Sequence, residues 1–195
     1  MGKIKSALEI ALERTESVKG SKDSIGQFGA RQKGKRLASG FLEGIVHSLE
    51  EEIKKVSTDE QASFRQGLFD VLISQITLPV AREDIKRIET ASQGLCAVIS
   101  DKHFGEIAKQ LRQILSQYLD EASQFEQAIK RQYAPKLRQK EEELSRRMGR
   151  PVKLDPFQDP EFAAFFNQNM NTLKENYQAA VDQVREEAFR LFEKK

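Results

Sequence analysis

The sequence has very little of the chemistry on which most enzymes depend. It contains one cysteine, two histidines and no tryptophan in 195 residues. The single Cys96 excludes an internal disulfide, and its place in the apolar run 95–99 predicts a buried, unreactive thiol. A nucleophile activated by a base and a third orienting group has too few side chains here from which to be built. We therefore expect no catalytic residues.

Proline is also scarce, and long hydrophobic runs are missing. Five prolines in the whole chain leave room for helices with few interruptions. We find no secretory signal and no apolar stretch long enough to cross a bilayer, so the expected location is the cytoplasm, without a membrane partner. The composition, 38% hydrophobic and 32% charged, suits long amphipathic helices with one buried face.

The N-terminal third predicts two helices separated by a linker. Apolar positions at helical spacing predict a first helix over 3–18. Residues 20–34 hold four glycines among lysines, serines and glutamines, which predicts a mobile basic linker, helical at most towards its end. A second helix is predicted over 35–56, where Gly40 and Gly44, one turn apart, indicate close packing against a neighbour.

The remaining sequence predicts two more short helices and then two long ones. The short helices are expected over 58–77 and 81–100. The long helices are expected over 103–148 and 160–194, separated by a stretch rich in glycine and proline. Pro135 is expected to kink or split the first long helix. We find no convincing strand.

These elements predict an all-α fold with one dominant feature. Two long amphipathic helices joined by a short break favour a long antiparallel, coiled-coil-like hairpin at the C-terminal end. The shorter helices over 35–100 should pack around its open end as a bundle. The predicted organisation is an N-terminal helix plus basic glycine-containing linker over 1–34, followed by a single helical domain over 35–195.

The net charge of +2 conceals two basic stretches. Residues 19–36 carry six basic groups against one acidic group, and residues 130–153 carry nine against three. The rest of the chain is therefore acidic. The second basic stretch falls at the predicted bend of the hairpin, near residues 135–157.

One glycine-containing segment partly matches a phosphate-binding loop. Residues 29–35 have the two glycines and the lysine at the required spacing, but Arg36 follows where serine or threonine would hold Mg²⁺. The preceding strand is missing as well. A plain basic segment explains these residues better.

The histidines also fail to make a convincing metal site. Glu43, His47 and Glu51 are spaced four apart on one face of the predicted second helix, but a di-iron bundle needs Glu-x-x-His pairs on two helices. His103 precedes Glu106, which is the reverse order. Zinc would require about four ligands with further histidine or cysteine. We expect no metal and no cofactor.

The basic stretches supply the candidate contact surface. Its residues are Lys33, Lys35, Arg36, Arg138, Arg146, Arg147 and Arg150. Lysine and arginine at this density can neutralise phosphates of a nucleic acid or meet an acidic protein surface. The alternative is local pairing of Glu142 with Arg146 and of Glu143 with Arg147, which would leave only a solvated helix.

The segment between the long helices supplies a candidate docking loop. Residues 151–157 place Val152, Leu154 and Phe157 in a short irregular stretch. They either dock a partner or pack back on the end of the hairpin. The aromatic residues just beyond the loop are expected to belong to the core or to a dimer seam: Phe162, Phe165 and Phe166.

The sequence thus favours a non-enzymatic helical adaptor, scaffold or assembly protein that acts through protein–protein contacts. Long apolar stripes often exceed what one partner helix covers, so a homodimer is also considered. The alternative function is a nucleic-acid- or ribosome-associated helical protein that uses the basic stretches over 19–36 and 130–153. The sequence does not identify the partner.

Overall fold

A computed structural model describes residues 7–194 of the chain, with side chains described from Ile25 onward. The predicted all-α architecture is confirmed, and no strand occurs within these residues. The six helices are α1 (Ala7–Leu42), α2 (Leu49–Lys54), α3 (Thr58–Ser74), α4 (Arg82–Ile99), α5 (Lys102–Met148) and α6 (Pro160–Glu193). A single 3-10 turn, Pro156–Gln158, precedes α6.

Helix α1 runs without a break through the segment predicted as a linker. The prediction of a flexible, mostly non-helical stretch over 20–34 is therefore wrong in its secondary structure. The physical reason lies in the buried small residues Ala30, Gly34 and Ala38, which recur every four positions and form a narrow strip along α1. The same helix contains residues 29–35, so no phosphate-binding loop is formed.

Helices α1 and α3 approach each other closely enough for their backbones to touch. A Cβ atom on Gly34 would lie 2.2 Å from the carbonyl oxygen of Phe64, and one on Gly67 would lie 2.1 Å from that of Arg31. The two helices run in the same direction, since a Cβ on Gly26 near the middle of α1 would lie 3.6 Å from Glu60 at the start of α3, whereas Phe41 and Leu72 near the ends of both helices lie together against Gly94. Arg31 also forms a 2.7 Å salt bridge with Asp70 on α3. Glycine is used here for close packing.

The predicted single helix over 35–56 is wrong, because the chain turns between α1 and α2. Gly44 has a φ of +77°, a conformation that ends a helix and that other residues rarely adopt. Ser48 then caps α2 by accepting a hydrogen bond from the backbone N–H of Glu51. His47 lies exposed in this connection, so the helical face expected to join it to Glu43 and Glu51 does not exist.

The two predicted close-packing glycines before α2 therefore have different roles. Gly40 does face a neighbour, since its Cβ would lie 3.2 Å from the Val46 side chain, but this neighbour belongs to the turn that follows α1. Gly44 faces nothing within 4 Å and provides the left-handed turn instead. Of these two glycines, only Gly40 packs closely against a neighbour.

Helix α4 packs on α3 and joins the bundle to α5. Gly94 of α4 sits against α3, where a Cβ would be 2.9 Å from the Leu72 side chain. Two salt bridges join α4 to α5: Arg82 with Asp120, and Arg112 with Glu89. The bundle therefore holds the first part of α5, as expected for helices packed around the open end of a hairpin.

Helices α5 and α6 lie side by side in opposite directions. Tyr118 packs on Tyr177 with ring centroids 5.1 Å apart, and further along α5 Tyr133 packs on Phe162 at 5.1 Å. Pro135 lies inside α5, which continues unbroken past it, so the predicted split does not occur and the predicted kink stays a prediction. The coiled-coil-like character of the pair stays a prediction.

Candidate functional site

The far end of the hairpin has an apolar cluster of its own. The bundle core reaches along the hairpin as far as Leu115 on α5 and Val181 on α6. A separate tip cluster begins at Ile129 and is built on the buried Tyr133 and Phe162. Its partly buried members are Leu137, Phe165, Phe166 and Met170. The end of the hairpin is therefore a second packed unit.

Aromatic rings fill this tip cluster. Phe162 is fully buried, which confirms that it belongs to a core. Phe157 meets the rings of Phe162 and Phe166 edge to face, with centroids 5.2 and 5.1 Å away. Such pairs stabilise beyond the area that they bury. The 3-10 turn is thereby held against the start of α6.

A network of charged groups crosses the hairpin beside these rings, with Asp159 and Tyr133 buried and Lys136 and Glu161 exposed. Asp159 caps α6, and its carboxylate accepts hydrogen bonds from the Tyr133 hydroxyl at 3.0 Å and from Lys140 Nζ at 2.8 Å. Lys140 also contacts Glu161 at 2.7 Å, and Lys136 contacts Glu161 at 2.9 Å. We call these five residues the tip network. They join α5 to α6 at the point where the chain reverses.

The network shifts the pKa values of its lysines and carboxylates in the direction that keeps them charged, and that of Tyr133 in the direction that keeps it neutral. The Lys140 ammonium lowers the pKa of Asp159 below its ordinary value. Lys140 and Lys136 together lower the pKa of Glu161 to about 2. The same contacts with Asp159 and Glu161 raise the pKa of Lys140. Burial, with help from Asp159, raises the pKa of Tyr133, so that the hydroxyl stays protonated and donates.

The loop before α6 folds back on α5. The backbone N–H of Val152 donates to Ser145 Oγ at 2.9 Å, and that of Leu154 donates to Glu141 Oε1 at 2.8 Å. Both apolar side chains are half-buried, which favours the packed alternative for them. Phe157 remains 48% exposed, with Lys130 Nζ 5.4 Å from its ring centroid. Of the predicted docking loop, Phe157 is thus the most accessible apolar side chain.

The structure places the seven predicted contact cations in two separate regions. Lys33, Lys35 and Arg36 lie on α1, within the bundle, and Lys35 is 3.9 Å from Asp70 of α3. The four arginines lie on the tip, which we define as residues 135–157. These two regions do not form one basic surface, because α1 packs on α3 and α4 and the tip packs on α6.

The tip arginines point to solvent and keep their charges available. Arg138, Arg146, Arg147 and Arg150 are exposed, and among the described side chains none of them forms an ion pair. The predicted pairs with Glu142 and Glu143 are not formed, although the spacing permits them. In contrast, Lys136 and Lys140 are already paired with acidic groups across the bend.

Other groups considered from the sequence offer no site. Over the described part of the chain, no three acidic, histidine or cysteine side chains are placed to hold a metal ion. Cys96 is half-buried, and burial raises the pKa of its thiol. None of the described helices combines the length and the apolar character needed to cross a membrane.

A groove on the hairpin was not anticipated from the sequence. It has a volume of about 630 Å³ and lies between α5, α6 and the α3–α4 loop. Its lining comes from three distant segments: Leu78, Pro79, Val80, Tyr118, Leu119, Ala122, Ser123, Glu126, Met170, Lys174, Glu175 and Gln178. The only local signal was the apolar, proline-containing sequence at 78–80.

Residues 50–190 match the profile of a family of unknown function, DUF6657. The chain belongs to this family. The match begins within α2 and includes the whole tip, the tip network and the groove. No curated protein and no solved structure matches the chain. Family membership thus covers the tip, the tip network and the groove without attaching a function to them.

Proposed function

We propose that this protein is a non-enzymatic helical adaptor or assembly protein that docks a partner protein with the tip of its hairpin. The observation that carries the proposal is the division of charge at the tip. Lys140 is partly buried and paired with Asp159 and Glu161, and the exposed Lys136 is also paired with Glu161. The arginines that face outward lack such partners among the described residues. A partner with an acidic surface would supply them.

The construction of the tip suits recognition. The tip cluster and the tip network hold the bend in one conformation, so that little conformational entropy would be lost on binding. Arginine is enriched at protein interfaces because its planar group pairs with carboxylates in a bidentate manner. The exposed Phe157 and Met148 add apolar contact area beside the charges. These features support docking of an acidic protein surface.

The test compares two double charge reversals in capture experiments from the native organism. R146E/R147E changes two neighbouring cations of the tip. K86E/R87E is the matched control, since it changes two neighbouring exposed cations of α4 in the bundle. We expect the control to retain the partner proteins that the wild type enriches, and the tip variant to lose at least about tenfold of them. Equal retention by both variants would overturn the proposal.

A second candidate is binding of a nucleic acid, including ribosomal RNA. The observation that favours it is the density of cations at the end of the tip: Arg146, Arg147, Arg150 and Lys153 lie within eight residues. Such a set can neutralise phosphates and release counterions. The exposed Phe157 ring would offer a stacking surface. This candidate uses the same tip.

Titrations with generic RNA and duplex DNA decide between the two candidates. Nucleic-acid binding predicts an affinity that falls steeply as salt rises from roughly 50 to 200 mM, with the logarithmic slope reduced by about one for each cation removed. Weak binding without a salt slope eliminates this candidate. Binding that R146E/R147E and K86E/R87E reduce equally would show that the tip is not the site.

We further propose a cytoplasmic location. The one free thiol, Cys96, suits a reducing compartment. Fractionation of the native organism with an antibody against the chain tests the location. Recovery in an oxidising compartment would contradict it.

A further inference from the structure

The groove beside the hairpin has an apolar floor in the middle of a charged protein. Its floor includes Leu119 and Ala122 of α5 and Met170 of α6, next to the buried Tyr118. It lies between the bundle core, which reaches Leu115 and Val181, and the tip cluster, which begins at Ile129. Among the described residues, only the α3–α4 loop joins α5 and α6 in lining it.

An apolar side chain projects from the edge of the groove. Val80 is 92% exposed, the highest value among the large apolar side chains described. Its position is fixed, because its backbone N–H donates to Asp84 Oδ2 at 2.8 Å, and Arg82, two residues further on, pairs with Asp120 of α5. The Val80 side chain is thus a fixed apolar projection beside the apolar floor of the groove.

The flank of α6 beside the groove is nearly free of charge. From Phe162 to Val181 the only charged residues are Lys174 and Glu175, in a chain that is 32% charged. Polar positions on this flank hold amide side chains, such as those of Asn171 and Gln178, whereas the rest of the chain more often has lysine or glutamate at such positions. Depletion of charge is the compositional mark of an interface core.

We propose that this groove is a self-association surface, occupied by a second copy of the chain packed around a two-fold axis. An isologous contact must be complementary to itself, and a projection beside a depression meets this condition, with Val80 of each copy entering the groove of the other. The charged residues of the flank also suit a two-fold contact. Lys174 and Glu175 are adjacent and opposite in sign, and among the described residues neither forms an ion pair.

Antiparallel contact of two α6 helices centred on these residues places Lys174 of one copy opposite Glu175 of the other, twice. A partner of strong net charge would find only one residue of each sign on this flank. Self-association goes beyond the docking function of the tip. It would present two tips in one particle and so raise the avidity for a multivalent partner.

Sedimentation equilibrium of the purified full chain tests the proposal. We expect a reversible monomer–dimer equilibrium for the wild type and at least a tenfold higher dimer dissociation constant for V80E, because a charge would enter the groove. I45E is the matched control, since Ile45 is 71% exposed in the α1–α2 connection, away from the groove. It should dimerise as the wild type does. Thermal unfolding of each variant verifies that the monomers are folded.

Lys174 and Glu175 allow a second, independent test of the proposal. K174E should weaken the dimer by placing like charges across the axis, and the exchanged pair K174E/E175K should restore it. A wild type that stays monomeric at every concentration, or a dimer that V80E and K174E leave unchanged, overturns the proposal. R146E/R147E should remain dimeric, so a failure of tip docking and a failure of self-association are separately visible.

Discussion

Gly34 lies against the backbone of Phe64 so closely that a methyl group at position 34 would be 2.2 Å from the Phe64 carbonyl oxygen. No side chain has room in this contact, and the neighbour is rigid backbone. The contact joins α1 to α3, and Gly67 repeats it from the other helix. The bundle that carries the hairpin thus depends on two glycines that look like helix breakers.

The variant G34A should destabilise the protein by about 1–3 kcal/mol or more, because the helices must separate to admit the methyl group. G29A is the control, since a Cβ at Gly29 meets nothing within 4 Å in the same helix. It should stabilise by up to about 1 kcal/mol through helix propensity. Urea denaturation followed by circular dichroism measures both. Equal effects would show that α1 does not pack on α3 as described.

The variant F162A should loosen the tip and spare the bundle. Removing a fully buried ring typically costs about 3–5 kcal/mol, and here the loss falls on the separate tip cluster. We expect faster hydrogen exchange over 129–137 and 157–166 and unchanged protection in α3 and α4. L72A should instead loosen the bundle. Uniform loss of protection in F162A would mean that the hairpin and the bundle unfold as one unit.

Acid should weaken the tip through the tip network. The folded pKa of Glu161 is about 2 against an ordinary value of 4.5, and that of Asp159 is lowered as well. The network contributes fully above the ordinary value, and this stability is lost as pH falls towards the folded pKa, because the unfolded chain binds protons first.

Thermal melts at successive pH values down to about 2 measure this loss. In K140M the acid sensitivity should be smaller, since the main cause of both lowered pKa values is removed. K109M is a control, because it removes only an exposed pairing with Glu106 on α5. Identical pH profiles of K140M and the wild type would contradict the assignment.

The variant P135A should stabilise the hairpin. Pro135 is exposed within a continuous helix, where it lacks an N–H and crowds the preceding turn. Replacement by alanine should raise the free energy of unfolding by about 1–3 kcal/mol. Denaturant titration checks the value. A decrease would mean that Pro135 itself is required to seat α5 against α6.

The helices that sequence predicts well are those with local start signals. Asp101 accepts a hydrogen bond from the backbone N–H of His103, and Asp159 with Pro160 opens α6, as such residues do at helix starts. The apolar periodicity of α5 and α6 is equally local. These features need no knowledge of the rest of the fold, so both long helices were placed within a residue or two of their ends.

The wrong predictions concern residues whose role depends on a partner far away in the sequence. From the sequence alone, Gly34 suggests a linker. Its close contact is with Phe64 of α3, which lies 30 positions further along the chain. Lys140 reads as one more surface cation, although it pairs with Asp159 and Glu161 across the bend. Conversely, Glu142 and Arg146 have the spacing of a pair and do not form one. Spacing permits a contact, and tertiary packing decides whether it forms.

Site-specific photo-crosslinking in living cells tests the central claim that the tip is the docking element. A photoreactive amino acid is placed at Arg150 in the tip or, as a control, at Lys86 in the bundle. We predict a discrete adduct to one protein partner from position 150 and none of that partner from position 86. No adduct from the tip, or the same partner in equal yield from both positions, would contradict the account.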